Sequence, residues 1–475
     1  MVLRIPIAIL LCFLSIITLV LEWFTLGLSL SLLAYGIILY HTFKTVGLNS
    51  VLFLFMILFG LYGYSVPISV LFDADIGWHR VAKLRTWQKV DDTLFSFLIS
   101  NQLALFATSF LYLVFVRKRI MRIPNNTSLK VSANYYRLAI LAGILSSLSE
   151  ALNFVRVGGF ATLSQGKAFY QGAINDLALN IPYEGFFYIA IALFGQFFGT
   201  IKNRKDKYFT YLPAFFLSIF FVLFINLVIG ERGTLLVAMV VFFLSYTIKR
   251  RITRVNFSHV LLLSILYVCF NVLTLLREKS VEYKGFGNFL ETYEDQLYRL
   301  MNPANTEFGS PALNYRIFID KKPDDYSFKL GQTYTEISTA FIPRYIYRDK
   351  PIGIIFEFRN QYFPERGEMG STAGTGFSSL MEAYMNFGYF GPFLIYLIFL
   401  FFLIYMESRK GRNQLFIDLL YLLLFNVCLI FSRSASQYIL YTLFLYLGQI
   451  IVVILVYKVM PKRMFRISKA IDDKS

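Results

Sequence analysis

The chain is 475 residues long, enough for several soluble domains at roughly 100–200 residues each, but its composition excludes that reading. Hydrophobic residues make up 57% and charged residues 16%, where a soluble chain carries about 25% charged, and Phe (51) and Tyr (32) are heavily used. So much apolar surface must face lipid, and the formal charge of +17 sits mostly in clusters flanking apolar runs, which argues for membrane orientation rather than nucleic-acid binding.

A membrane-crossing helix needs about 20 mostly apolar residues. On that criterion the sequence predicts about twelve spans: 5–21, 25–43, 51–72, 93–116, 135–156, 183–200, 208–230, 233–248, 256–276, 377–405, 414–431 and 435–457. The first is read as a retained helix, because no small-residue cleavage site follows it and a second span begins just after Glu22 and Trp23. Cys12, Cys269 and Cys428 all fall inside apolar runs, so no disulfide framework or cysteine metal site is readable.

Basic clusters fix the orientation. Arg117, Lys118, Arg119, Arg122 and Lys130 form one; Lys202, Arg204, Lys205 and Lys207 a second; Lys249, Arg250, Arg251 and Arg254 a third; Arg409, Lys410 and Arg412 a fourth. With twelve spans, these and the basic tail fall on the side of the N-terminus, which predicts that both termini are cytoplasmic. The expected layout is a nine-helix membrane region (1–278), a large external loop (279–376) and a C-terminal three-helix membrane region (377–475). External loops this long usually carry function. No internal repeat of the kind found in many secondary transporters is visible.

Three arginines stand on the predicted outer face, against the charge bias. Arg232 lies in GERG (230–233), Arg277 closes the ninth span in LLREK, and Arg433 lies in SRSAS (432–436), the break between the last two spans. Each can snorkel to headgroups or pair with Glu231 or Glu278. Together they can also form an anion site, because a guanidinium is a permanently charged fork matched to phosphate oxygens. In the external loop, FIPRYIYRDKP (341–351) surrounds Tyr345 and Tyr347 with Arg344, Arg348 and Lys350, so its cations suit phosphate and its rings suit sugars. Arg80, Arg85 and Arg359 read as ordinary solvated loop charges.

The run SSLMEAYMNFGYFGP (378–392) places Glu382, Met385 and Asn386 at helical spacing, with a carboxylate and an amide on one face at membrane depth. Glu382 is there either as a general base or as a structural partner for an arginine. Asp73-Ala74-Asp75, with His79 nearby, is a D-x-D that can hold a divalent metal, or a common pair of helix-ending aspartates. His41 and His259 read as interfacial residues. No P-loop, GxSxG, HExxH or CxxC occurs in a usable context.

Gly230-Glu231-Arg232-Gly233, the Ile342-Pro343-Arg344…Lys350-Pro351 string and the Glu382…Asn386-Phe387-Gly388…Gly391 stretch, in that order, resemble the bacterial oligosaccharide repeat-unit polymerases of the O-antigen polymerase, or Wzy, type. The resemblance covers about half the chain, from Arg232 to the last spans. It also covers the layout: an all-α polytopic integral membrane protein with one large external loop before the last three spans. It implies a GT-C-like fold and a metal-independent enzyme of the bacterial inner membrane, without cofactor. Such an enzyme moves a growing glycan from undecaprenyl diphosphate onto a new lipid-linked repeat unit at the outer face, in partnership with a chain-length regulator. On that reading Arg232, Arg277, Arg344, Arg348 and Arg433 stabilise the departing diphosphate. Glu382, then Glu231, are the candidates to take the acceptor proton, and Tyr345, Tyr347, Tyr362 and Asn386 contact glycan. Three rivals stay open: an O-antigen ligase, separated by its acceptor; a metal-dependent GT-C transferase using a polyprenyl-phosphate sugar through Asp73 and Asp75; and a lipid-linked glycan flippase, which needs charge at mid-membrane.

Overall fold

Twelve of the fourteen helices that organise the described part of the chain are the direct product of its apolar runs. The computed structural model describes residues 4–72, 90–116, 133–164, 170, 173–174, 182–200, 204–229, 231–250, 302–322, 326–339, 347, 351, 353–363, 376–410 and 415–459. These residues are helical or irregular, with no strand among them. The principal helices are α1 (Arg4–Val20), α2 (Phe24–Val46), α3 (Val51–Leu71), α4 (Asp92–Leu111), α5 (Ala133–Arg156), α6 (Glu184–Thr200) and α7 (Arg204–Val228). They continue with α8 (Arg232–Arg250), α9 (Ser310–Lys321), α10 (Ile354–Tyr362), α11 (Ser379–Phe387), α12 (Phe390–Glu407), α13 (Leu415–Arg433) and α14 (Ser436–Val459).

Nine helices among the described residues are long and apolar enough to cross a membrane, and Arg4–Val20 and Glu184–Gly199 are shorter apolar helices. The protein is therefore a polytopic membrane protein. The predicted span 256–276 lies outside the described residues. Lipid accounts for the large exposed side chains along the spans, such as Leu217 at 78% and Phe220 at 60%. The interior is packed by α1 against α2 and α4, α6 against α5 and α8, α4 against α12, and α13 against α3 and α14. Its centre is aromatic: Phe399 stacks on Phe431 with ring centroids 3.9 Å apart, and Phe55 meets both edge-on.

One predicted span is divided. The sequence predicts one continuous span over 377–405, but the helix stops at Phe387 and restarts at Phe390. Gly388 makes the break, with a φ of 59° that a side-chain-bearing residue rarely adopts, and its N–H caps the Tyr384 carbonyl at 2.8 Å. α11 thus becomes a separate, almost fully buried helix ahead of the spanning α12.

The two ends of the bundle are chemically different. At one, Glu407 is buried and accepts hydrogen bonds from the Tyr421 hydroxyl (2.6 Å) and the Ser50 hydroxyl (2.9 Å), and it pairs with Lys410. Ser50 also caps α3 by accepting from the Phe53 N–H, so this network ties the α2–α3 turn to α12 and α13. Arg4 and Lys44 lie over the Tyr40 ring, and Lys249 over Tyr135, at the same end. The other end holds the polar breaks around Arg433.

Candidate functional site

Arg433 is the last residue of α13, and Ser436 opens α14. Its guanidinium Nη1 meets a Glu307 carboxylate oxygen at 2.8 Å, with both side chains partly open to solvent, 35% and 52% exposed. A second carboxylate stands close by. A Cβ placed on Gly233, at the start of α8, would lie 3.4 Å from Glu231 Oε1 and 3.7 Å from Arg433 Nη2. The start of α8 therefore lies beside the break between α13 and α14, with Glu231 and Glu307 both in the neighbourhood of Arg433. Two of the residues singled out in sequence, Glu231 and Arg433, are brought together here.

Glu307 is held on a built platform. Asn302 Oδ1 accepts from the Ser69 hydroxyl at the end of α3 (2.9 Å) and from its own neighbour, the Ala304 N–H (3.0 Å). Phe308 sets its ring edge-on to Tyr62 of α3, centroids 5.0 Å apart. The Ser310 hydroxyl donates back to the Glu307 carbonyl at 2.9 Å. The turn closes only because residue 309 is glycine: a Cβ there would sit 1.9 Å from the Ala304 carbonyl oxygen. Beneath it, Tyr62, Gly63, Asn101, Pro311, Ser378 and Ser432 help line a cavity of about 20 Å³, room for a water-sized molecule.

The Arg433 turn is fixed from the other side by Glu382, which is wholly enclosed at 0% exposure. Its Oε2 accepts the Ser436 N–H at 2.7 Å, and its Oε1 accepts the Ser436 hydroxyl at 2.7 Å and the Thr333 hydroxyl at 2.8 Å. A carboxylate at the first turn of α14 also suits that helix's partial positive charge. Ser379 adds a bond from its hydroxyl to the Ser434 carbonyl, 3.1 Å. Asn386, one turn along α11, donates to Thr333 Oγ1 and to the Glu382 carbonyl, both at 2.8 Å, and accepts from the Gly331 N–H at 3.0 Å. Glu382 and Asn386, predicted to share a face, do so and jointly clasp the 329–335 segment.

Glu336, in the next turn, lies outside the spans. Burial, reinforced by the charge of Glu357, pushes its carboxyl upward, against a hydrogen bond from Gln332 and the nearby Lys329. Lys329 itself bridges to Glu357 at 2.6 Å.

The sequence profile of the O-antigen polysaccharide polymerase Wzy family matches residues 3–464, nearly the whole chain. The chain belongs to this family. Membership makes it a glycosyltransferase-type polymerising enzyme that acts on lipid-linked oligosaccharides in a membrane. The match extends well beyond the half of the chain that carried the local resemblance in sequence. No curated protein and no solved structure matches this Wzy-family chain.

The remaining predicted site residues are distributed as follows. Arg232 begins α8 one residue from Glu231, and only its backbone is described. Tyr347 is exposed at 37%. Tyr362 is buried at 8%, its ring 4.8 Å from Phe358 and 6.4 Å from Phe318, in the packing between α9 and α10. Arg277, Arg344, Tyr345 and Arg348 lie outside the described residues, as do Asp73, Asp75 and His79. Sequence reasoning missed Glu307, Thr333 and Ser436. Ser436 was within a quoted motif, but nothing local distinguished Glu307 or Thr333 from other polar loop residues.

Proposed function

We propose that this Wzy-family protein polymerises undecaprenyl-diphosphate-linked repeat units into a surface polysaccharide at the outer face of the inner membrane. The growing glycan is transferred from its lipid diphosphate to a hydroxyl of the next lipid-linked unit, and undecaprenyl diphosphate leaves. The observation that carries this reading is the placement of Arg433: a partly exposed guanidinium, at the mouth of the helix bundle, on a backbone turn fixed by Glu382. The hard event is departure of a diphosphate from an anomeric carbon, and negative charge then accumulates on phosphate oxygens. A fixed guanidinium aimed at those oxygens stabilises that charge, typically by ~10²–10³ in rate for one donor of this kind. Arg232, Arg277, Arg344 and Arg348 are proposed to complete the set, with Tyr345 and Tyr347 facing the glycan, and the reaction is proposed to need no metal. Glu382 and Asn386 serve this site by holding the Arg433 turn and the 329–335 segment together.

The same reading places the Arg433 end outside. Arg4, Lys44, Lys249 and Lys410 collect at the opposite end, and cytoplasmic loops carry the lysine and arginine excess. The layout then remains twelve spans with both termini cytoplasmic, a GT-C-like membrane body and one large external loop at 279–376, working with a chain-length regulator. The test is purified protein incubated with lipid-diphosphate-linked repeat units, with and without EDTA, its products separated on a gel. An EDTA-insensitive ladder of multiples supports the reading. A ladder abolished by EDTA moves the chemistry to Asp73 and Asp75, and no ladder from an intact native repeat unit sinks it.

A further inference from the structure

Polymerisation by the route above needs a group to take the proton of the acceptor hydroxyl. Glu382 is enclosed, and its two oxygens already accept three hydrogen bonds. Glu307 differs in exposure and in lying directly against the guanidinium. Its side chain is 52% exposed, it rests on the pinned 302–310 turn, and it touches Arg433 directly. We propose that Glu307 is the catalytic base of the transfer, displaced from Arg433 when the donor diphosphate takes its place there. This rests on the reading of Arg433 as a diphosphate-binding residue.

The logic is electrostatic. A diphosphate brings more negative charge to the guanidinium than one carboxylate does and engages its fork through paired oxygens. Glu307 is then displaced from the Arg433 guanidinium and left beside a like charge, and both changes make its carboxylate more basic. Its flexible side chain stays tethered within reach of a sugar whose anomeric carbon is bonded to that diphosphate. The acceptor oxygen forms the new bond to the anomeric carbon as the carbon–oxygen bond to phosphate breaks. The bonding pair leaves on undecaprenyl diphosphate, and the hydroxyl proton passes to Glu307. The carboxylic acid then returns that proton to solvent, or to the departing diphosphate, and re-forms the pair with Arg433. The pairing in the free enzyme keeps the base masked until a donor is bound.

The test compares Glu307→Gln and Glu307→Asp with the unaltered protein and with Arg433→Ala. Two readouts are used: polymer formation from extracted lipid-diphosphate-linked repeat units, and binding of undecaprenyl diphosphate in detergent. Glutamine keeps the shape and a contact to Arg433 but accepts no proton. Glu307→Gln is expected to lower kcat by ~10²-fold or more, the usual contribution of a general base, while binding undecaprenyl diphosphate as tightly as the unaltered protein or more so. Glu307→Asp is expected to recover at least tenfold over the glutamine variant. Glu307→Gln polymerising within threefold of the unaltered protein overturns the proposal. So does a loss of rate matched by an equal loss of binding, which would make Glu307 a support for Arg433. If Arg433→Ala loses binding while Glu307→Gln is fully active, only the base assignment fails. If Arg433→Ala binds and polymerises normally, the reading of the site itself fails.

Discussion

Glu382 of α11 and Ser436 of α14, 54 positions apart in sequence, are joined through both the backbone N–H and the hydroxyl of the serine, each at 2.7 Å. The same carboxylate takes the Thr333 hydroxyl, so three stretches of chain meet at one buried side chain. Removing it leaves buried donors without an acceptor, at roughly 1–3 kcal/mol each. Glu382→Ala is expected to lower the melting temperature by several degrees and to reduce polymerisation with it. Glu382→Gln, which keeps an acceptor oxygen, is expected to retain most of both. Thermal melting in detergent alongside the ladder assay checks this. An alanine variant with an unchanged melting temperature would refute the structural role.

Arg433 should be intolerant of its nearest chemical relative. Lysine keeps the charge but loses the planar fork that grips phosphate oxygens in pairs. Both Arg433→Ala and Arg433→Lys are expected to cut polymerisation by ~10²-fold or more, with melting temperatures within a few degrees of the unaltered protein. Full activity of the lysine variant would show that a point charge suffices there.

At the opposite end, the Glu407 network is proposed to stabilise without touching substrate. Breaking a buried, hydrogen-bonded charge pair from one side costs about 3–5 kcal/mol, and Glu407 is 4% exposed. Glu407→Ala is expected to lower the melting temperature more than Glu382→Ala does. The protein that remains folded should polymerise at an undiminished rate per molecule. Comparing activity with the folded fraction separates the two effects, and a kcat defect in folded Glu407→Ala would bring that end into the catalytic cycle.

Glu336 supplies a pH prediction. Its folded-state pKa is raised by burial and by Glu357, so the folded protein holds the proton more tightly than the unfolded chain. That favours folding at low pH, and the advantage fades as pH rises from the unfolded value of 4.5 through the folded one. Glu336→Gln should therefore melt slightly higher than the unaltered protein near neutrality and no higher at about pH 4. An identical difference at both pH values would rule out titration as its origin.

Orientation can be read by chemical labelling in sealed vesicles. Cysteine placed at Tyr347, which is exposed, should react with an impermeant maleimide from outside, and cysteine at Arg409 only from inside. Cys12 and Cys428 are buried and add little background, and replacing Cys269 removes the third thiol. Labelling of both sites from one side would overturn the proposed topology.

Hydropathy made most of the membrane body legible, because a helix in lipid must be apolar along its length and each such run announces itself within about 20 residues. Where the reading went astray, at 377–405, the cause was the small window of information carried by Gly388: one positive-φ residue divides a run whose average hydropathy is unchanged. The site was legible only in pieces. Glu231 and Arg433 stood out because charges at outer helix ends need reasons, and Glu382 because a carboxylate at membrane depth does. Glu307 lies 126 positions from Arg433, in a loop rich in polar residues, and bundle packing rather than any local pattern joins them. Thr333 was invisible for the same reason, as a hydroxyl whose meaning depends on an acceptor 49 positions away.

The connection between α13 and α14 is only Ser434 and Ala435, with Ser436 anchored at its first turn. A guanidinium carried on so short and fixed a link has little backbone freedom left to lose when an anion arrives. In most flexible loops, ordering the chain around a ligand subtracts from affinity. Here much of that ordering was completed when the helices packed, so tight engagement of a charged headgroup requires adjustment of one side chain rather than of a segment.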